Sequence, residues 1–166
     1  MIMKIKKFLA MMVAATTMVF GVYSCGSDDD ENEPEKPVAA QVAGSYEGQE
    51  VIKVMGEVSS DTTTTYSFAK ATDLTVDMTI PGFGMGAMTI PSFPVKEIPL
   101  TKGEKAITGK LDSYRGTVTD GKGQEKAYTV NNIVVAFDGE TVAVTYELMY
   151  GAMPMAMVTT FTGTKK

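Results

Sequence analysis

Asp73-Leu74-Thr75-Val76-Asp77-Met78-Thr79-Ile80-Pro81-Gly82 alternates apolar and polar residues without a slip. Leu74, Val76, Met78 and Ile80 fall on one face, and Thr75, Asp77 and Thr79 on the other. A period of two is the pleat of a β-strand with one buried and one wet face, and Pro81-Gly82 stops it.

Working outward, the same alternation recurs on both sides. Upstream, Ser45 to Met55 and Thr62 to Ala69 read as strands, the second with Thr62, Thr64, Tyr66 and Phe68 on one face, and Gly56 to Asp61 reads as the turn between them. Downstream, Gly82 to Met88 holds too much glycine for a strand interior. Met88 to Leu100 carries three prolines, Pro91, Pro94 and Pro99, which restrict it to an edge, a bulge or a crossing loop. Ala106 to Ser113 and Tyr114 to Thr119 read as two short strands before the turn Asp120-Gly121-Lys122-Gly123. Ala127 to Phe137 and Thr141 to Tyr150 form a hairpin across Asp138-Gly139-Glu140, an Asp-Gly turn between alternating runs. Met155 to Thr164 supplies a last strand. No segment after residue 25 shows a helical period, so the expected class is all-β, an antiparallel meander of about eight strands, in a barrel or a sandwich.

The amino terminus has a different character. Lys4, Lys6 and Lys7 precede an uncharged apolar run from Phe8 to Tyr23, which is shorter than the ~20 residues a membrane-spanning helix needs and reads as a cleaved secretory signal. Val22-Tyr23-Ser24-Cys25 resembles a lipobox, in which the cysteine becomes the new amino terminus and carries lipid. Two or three acyl chains would anchor the protein stably, since each buried methylene contributes about 0.8 kcal/mol. Gly26 to about Ala40 is acidic, polar and punctuated by proline, the composition of a flexible tether. The expected division is 1–24 signal peptide, 25–40 lipidated cysteine and tether, and 41–166 folded domain.

Composition excludes several functions. Losing the three signal lysines takes the formal charge from −5 to −8, and the acidic cluster after Cys25 carries most of it. The body is near neutral, without the basic stripe that nucleic acid requires. Cys25 is the sole cysteine and there is no histidine, so neither a Ser-His-Asp triad nor a zinc site can be assembled; no catalytic residue, metal or cofactor is expected. Asp73 and Asp77 are the carboxylate pair that a strand brings together, and they read as a solvated face. The two Asp-Gly turns lack the spaced oxygen ligands of a calcium loop. The methionines of the body, Met78, Met85, Met88, Met149, Met153, Met155 and Met157 among them, suit either an irregular core or an adaptable apolar cavity.

Val42-Ala43-Gly44-Ser45-Tyr46-Glu47-Gly48, the strand from Asp73 to Met78 leading into a glycine and methionine segment, and the terminal Phe161-Thr162-Gly163-Thr164-Lys165-Lys166 together resemble the calycin-like, or lipocalin-like, β-barrel domain of Bacteroidetes lipoproteins. The resemblance spans residues 42 to 166 and implies a closed barrel. The acidic cluster behind Cys25 is similar to the export signal of Bacteroidetes lipoproteins displayed at the cell surface, which implies the outer membrane as address.

Two functional expectations follow. One is a non-enzymatic binding barrel for a small apolar or amphipathic ligand, lined by Tyr66, Phe68, Val76, Met78, Tyr146, Met155 and Met157. The other is a filled barrel that docks on a protein partner in an outer-membrane assembly through the apolar segment Gly82 to Pro94, where Phe83, Met85, Met88, Ile90 and Phe93 are too many to leave in water.

Overall fold

The computed structural model describes residues 35–85 and 88–166; the expected signal peptide, Cys25 and most of the expected tether lie outside them. Glu35–Lys166 form one compact unit, all-β apart from a single short helix.

Eight antiparallel strands close into a barrel. They are β1 (Gly44–Val54), β2 (Glu57–Lys70), β3 (Thr75–Ile80), β6 (Phe93–Lys102), β7 (Ile107–Thr119), β8 (Glu125–Asp138), β9 (Thr141–Tyr150) and β10 (Met157–Lys165), in the spatial order β1-β10-β9-β8-β7-β6-β3-β2. The first and last strands pair from Tyr46↔Lys165 to Val54↔Met157, which removes the sheet edges. Between β3 and β6 the chain makes a separate two-stranded hairpin, β4 (Phe83–Met85) and β5 (Met88–Ile90), so Gly84, expected to lie outside any strand interior, sits within a short strand opposite Thr89.

Several strands differ from the sequence reading. β2 starts at Glu57 because the turn needs only Met55 and Gly56, both at positive φ (54° and 87°). β7 is one strand of 13 residues in unbroken register with β8 from Ile107↔Phe137 to Thr119↔Glu125. Leu74 lies before β3 and is 60% exposed, whereas Val76, Met78 and Ile80 are fully buried.

The proline-rich strand β6 runs inside the sheet order, and its environment explains how. It pairs with β3 from Phe93 to Pro99, but with β7 only through Leu100–Lys102, so Pro94 and Pro99 deny no donor to β7. A register shift between Val76 and Met78 absorbs the irregularity. There Glu97 adopts φ 58° and donates its N–H to Asp77 Oδ1 at 2.8 Å.

The two ends of the barrel differ. One is stoppered by α1 (Val38–Val42), whose Ala39 and Val42 are buried, so the ordered body begins inside the stretch expected to be tether. Five residues are too few to show a helical period. Ala39 donates its N–H to the Asp73 carbonyl, and the Tyr46 hydroxyl donates to the Val42 carbonyl at 2.9 Å. Behind this stopper Phe68 packs edge to face with both Tyr46 and Phe137, which meet each other at a tilt, the three centroids lying 4.9 to 5.8 Å apart. The opposite end carries the β1–β2 turn, the β4–β5 hairpin, the β7–β8 turn and the β9–β10 connection.

Candidate functional site

Six of the seven expected lining residues point into the barrel. Tyr66, Phe68, Val76, Met78, Tyr146 and Met157 are each no more than 3% exposed. Met155 does not join them: β10 begins at Met157, leaving Met155 in the connection after β9 and 39% exposed. The six inward residues pack on one another and on aromatic neighbours, the Tyr66 ring stacking on Phe161 at 4.2 Å.

Within this apolar interior lies a polar cluster that the sequence reading passed over. On β1 the inward positions are Tyr46, Gly48, Glu50, Ile52 and Val54, so period two carries a carboxyl group into the core, where Glu50 is 1% exposed. The Tyr66 hydroxyl donates to Glu50 Oε1, and the hydroxyls of Tyr66 and Tyr146 lie 2.8 Å apart. Thr159, paired with Tyr146 across β9 and β10, is fully buried and its Oγ1 has no partner among the described residues. Burial pushes the Glu50 carboxyl above its ordinary pKa, and the Tyr66 hydrogen bond opposes this. Burial, with the nearby Glu50 charge adding to it, pushes the Tyr146 phenol up as well. Tyr66 is raised mainly by burial. The cluster can hold a proton inside the barrel, but these side chains are closed off from solvent.

The more accessible feature is at the end away from α1. A depression of about 500 Å³ lies between the β5 strand of the small hairpin and the β7–β8 turn. Met88 and Thr89 line one side, Asp120, Lys122 and Lys126 the other, and Tyr150 at the end of β9 contributes. Tyr150 is 5% exposed and its hydroxyl has no hydrogen-bond partner among the described residues; burial and then the Asp120 charge raise its pKa. The β7–β8 turn is held by Asp120, whose Oδ1 accepts the N–H groups of Lys122 (2.9 Å) and Gln124 (2.8 Å). The Gln124 N–H, the Lys122 N–H and the two lysine charges hold the Asp120 carboxyl below the usual range. A smaller depression of about 200 Å³ flanks α1 and the β6–β7 connection.

Below the larger depression, Tyr128 shows how the barrel wall is completed where β6 and β7 part. Its ring lies over Gly116 of β7, where an added Cβ would sit 2.4 Å from the Tyr128 hydroxyl. The hydroxyl donates to the Pro94 carbonyl at 2.6 Å, satisfying an oxygen that β7 does not reach. Burial, then Tyr114, lifts the Tyr128 pKa to about 12.

The other sequence candidates take structural roles. Asp73 pairs with Lys70 at 2.5 Å on the surface, and Asp77 ties down the β6 irregularity. The apolar segment Gly82 to Pro94 folds onto the barrel, with Ile90 and Phe93 buried and Phe83 and Met88 packed against the core. Of the exposed large apolar side chains, Met55, Val58, Met149, Met155 and Val158 lie toward the β1–β2 and β9–β10 connections, whereas Leu74 lies at the α1 end and Val134 within β8. Among the described residues no group of three or more carboxylates, histidines or cysteines could hold a metal, and no helix is long and apolar enough to cross a membrane.

Comparison with known proteins agrees with this architecture. A crystal structure of a candidate outer membrane protein from Bacteroides fragilis superposes with a TM-score of 0.62 at 20% sequence identity, covering 78% of this chain and 53% of that one, so the chain spans about half the length of that protein. At that identity the likeness concerns the fold. No curated protein matches the chain. The family model of the calycin-like beta-barrel domain matches residues 42–164, from the end of α1 through nearly all of β10, and the chain belongs to that family.

Proposed function

We propose that this protein is a lipid-anchored, non-enzymatic binding module of the bacterial outer membrane, displayed at the cell surface, which takes a small amphipathic ligand at the barrel end remote from its tether. The observation that carries the reading is the depression of about 500 Å³, within the roughly 300–1,000 Å³ range of small-molecule sites. It lies opposite α1, the end at which the chain arrives from Cys25. The inward side chains pack into a core, which favours the mouth of the barrel over its middle as the place for a ligand. The lipobox resemblance and the acidic cluster behind Cys25 support the anchor and the address.

The exposed apolar side chains around Met55 and Val158 favour a second reading, a filled barrel that docks on another envelope protein. Native mass spectrometry of the mature protein, extracted gently from the producing bacterium, separates the two. A reproducible small bound mass supports the binding module. A co-purified subunit in its place supports docking, and a bare monomer counts against the ligand reading.

A further inference from the structure

We infer that the depression beside Tyr150 selects an acidic amphiphile, a molecule with one anionic head and an apolar body; this rests on the reading of the protein as a binding module. The polar and apolar groups of the site are segregated. Met88 of β5 offers a flexible thioether and Tyr150 a ring, surfaces that adapt to an apolar body. The facing turn presents Lys122 and Lys126.

The one carboxylate here does not invite a cation. Asp120 Oδ1 already accepts two backbone N–H groups, and its Oδ2 stands 4.0 Å from the Lys126 ammonium. Lys122 makes no ion pair among the described residues, and Lys126 binds only the neutral Gln124 amide at 2.8 Å besides that long contact. Two lysines against one committed aspartate leave the site net positive. The second observation is independent of the lysines. The Tyr150 hydroxyl is buried without an acceptor, and a buried donor left unpaired is unfavourable. An anionic head supplies that acceptor and meets the lysine charge. A cationic or wholly apolar ligand does neither.

Two fluorescent probes test this on the chain from residue 26 onward, which contains the whole compact unit Glu35–Lys166 but neither signal nor lipid cysteine. Anilinonaphthalene sulfonate and neutral phenylnaphthylamine share one apolar body and differ by the anionic group. The sulfonate is expected to bind about tenfold more tightly, the effect of one hydrogen bond to a charged group. Lys122→Gln with Lys126→Gln should bring it down to the affinity of the neutral probe and leave the latter unchanged, and Tyr150→Phe should weaken the sulfonate alone. Equal affinities, or sulfonate binding indifferent to all three substitutions, overturns the acidic class while leaving a binding module in place. Failure of both probes to bind overturns the binding module at this site too.

Discussion

The hydroxyls of Tyr66 and Tyr146 meet 2.8 Å apart, although the strands that carry them, β2 and β9, are separated in the barrel by β1 and β10. The contact spans the interior and ends on Glu50, the one charged side chain among the buried described residues. Burying a carboxyl without a basic partner is unfavourable, and that sets the pH behaviour of the protein.

Because burial raises the Glu50 pKa in the folded state, the folded protein holds this proton more firmly than the unfolded chain. The associated stability is complete below the unfolded value and is lost as pH rises through the raised folded one. Glu50→Gln, which keeps an acceptor for Tyr66, should therefore be more stable than the native protein at neutral pH, with the gain shrinking as pH falls. Urea midpoints across this range give the difference; a gain that does not vary with pH would contradict the assignment.

Tyr66→Phe removes the donor that Glu50 accepts. The expected loss is about 1.5–3 kcal/mol at neutral pH, the range for hydrogen bonds to charged groups. In the Glu50→Gln background the loss should be smaller, and a double-mutant cycle reads the coupling directly.

Gly48 of β1 lies opposite Gly163 of β10, and an added Cβ would lie 2.0 Å from the Thr162 carbonyl oxygen and 2.4 Å from the Gly163 Cα. Neither backbone atom can turn aside, so Gly48→Ala should cost more than about 3 kcal/mol or prevent folding, beyond the usual range for overpacking. Gly121→Ala, with nothing within 4 Å of the new methyl group, should stay within about 0.5 kcal/mol. Thermal melts of the two variants make the comparison.

Val42 closes the barrel end from α1 at 3% exposure. Val42→Asp should destabilise by at least about 1.5–3 kcal/mol, the burial free energy of the side chain it replaces. Shortening the chain to begin at Gly44 should do the same and also remove the acceptor of the Tyr46 hydroxyl. Chemical denaturation checks both.

Cys25→Ser tests the anchor. The substituted protein should lose incorporated fatty acid and leave the membrane fraction when the producing cells are fractionated; retention in that fraction would remove the lipid tether.

What was legible in the sequence was whatever alternated cleanly. Thr141–Tyr150 reads directly as a strand because Val142, Val144, Tyr146 and Leu148 alternate and Gly139, at φ 58°, makes the turn before them. β7 reads as two strands because Ser113 to Gly116 breaks the apolar rhythm. The gap there is filled from the next strand, by Tyr128 reaching over Gly116. The prolines of β6 point to an irregular strand, but its place inside the barrel depends on partners distant in sequence. Glu50 went unrecognised because a charged residue reads as wet, although the inward rhythm of Tyr46, Gly48 and Ile52 already included its position. Tyr150 and the two lysines meet across separate connections, and no local pattern announces that.

The pairing of β1 with β10 bears on how the molecule comes into being. Its two partners lie at opposite limits of the folded unit, so ring closure has to wait until the final nine-residue strand is available. Contacts of such long sequence separation slow folding. Until β10 arrives the sheet is an open ribbon whose outer strands, β1 and β9, each present an unpaired edge, so the incomplete chain is the form most exposed to wrong strand pairing.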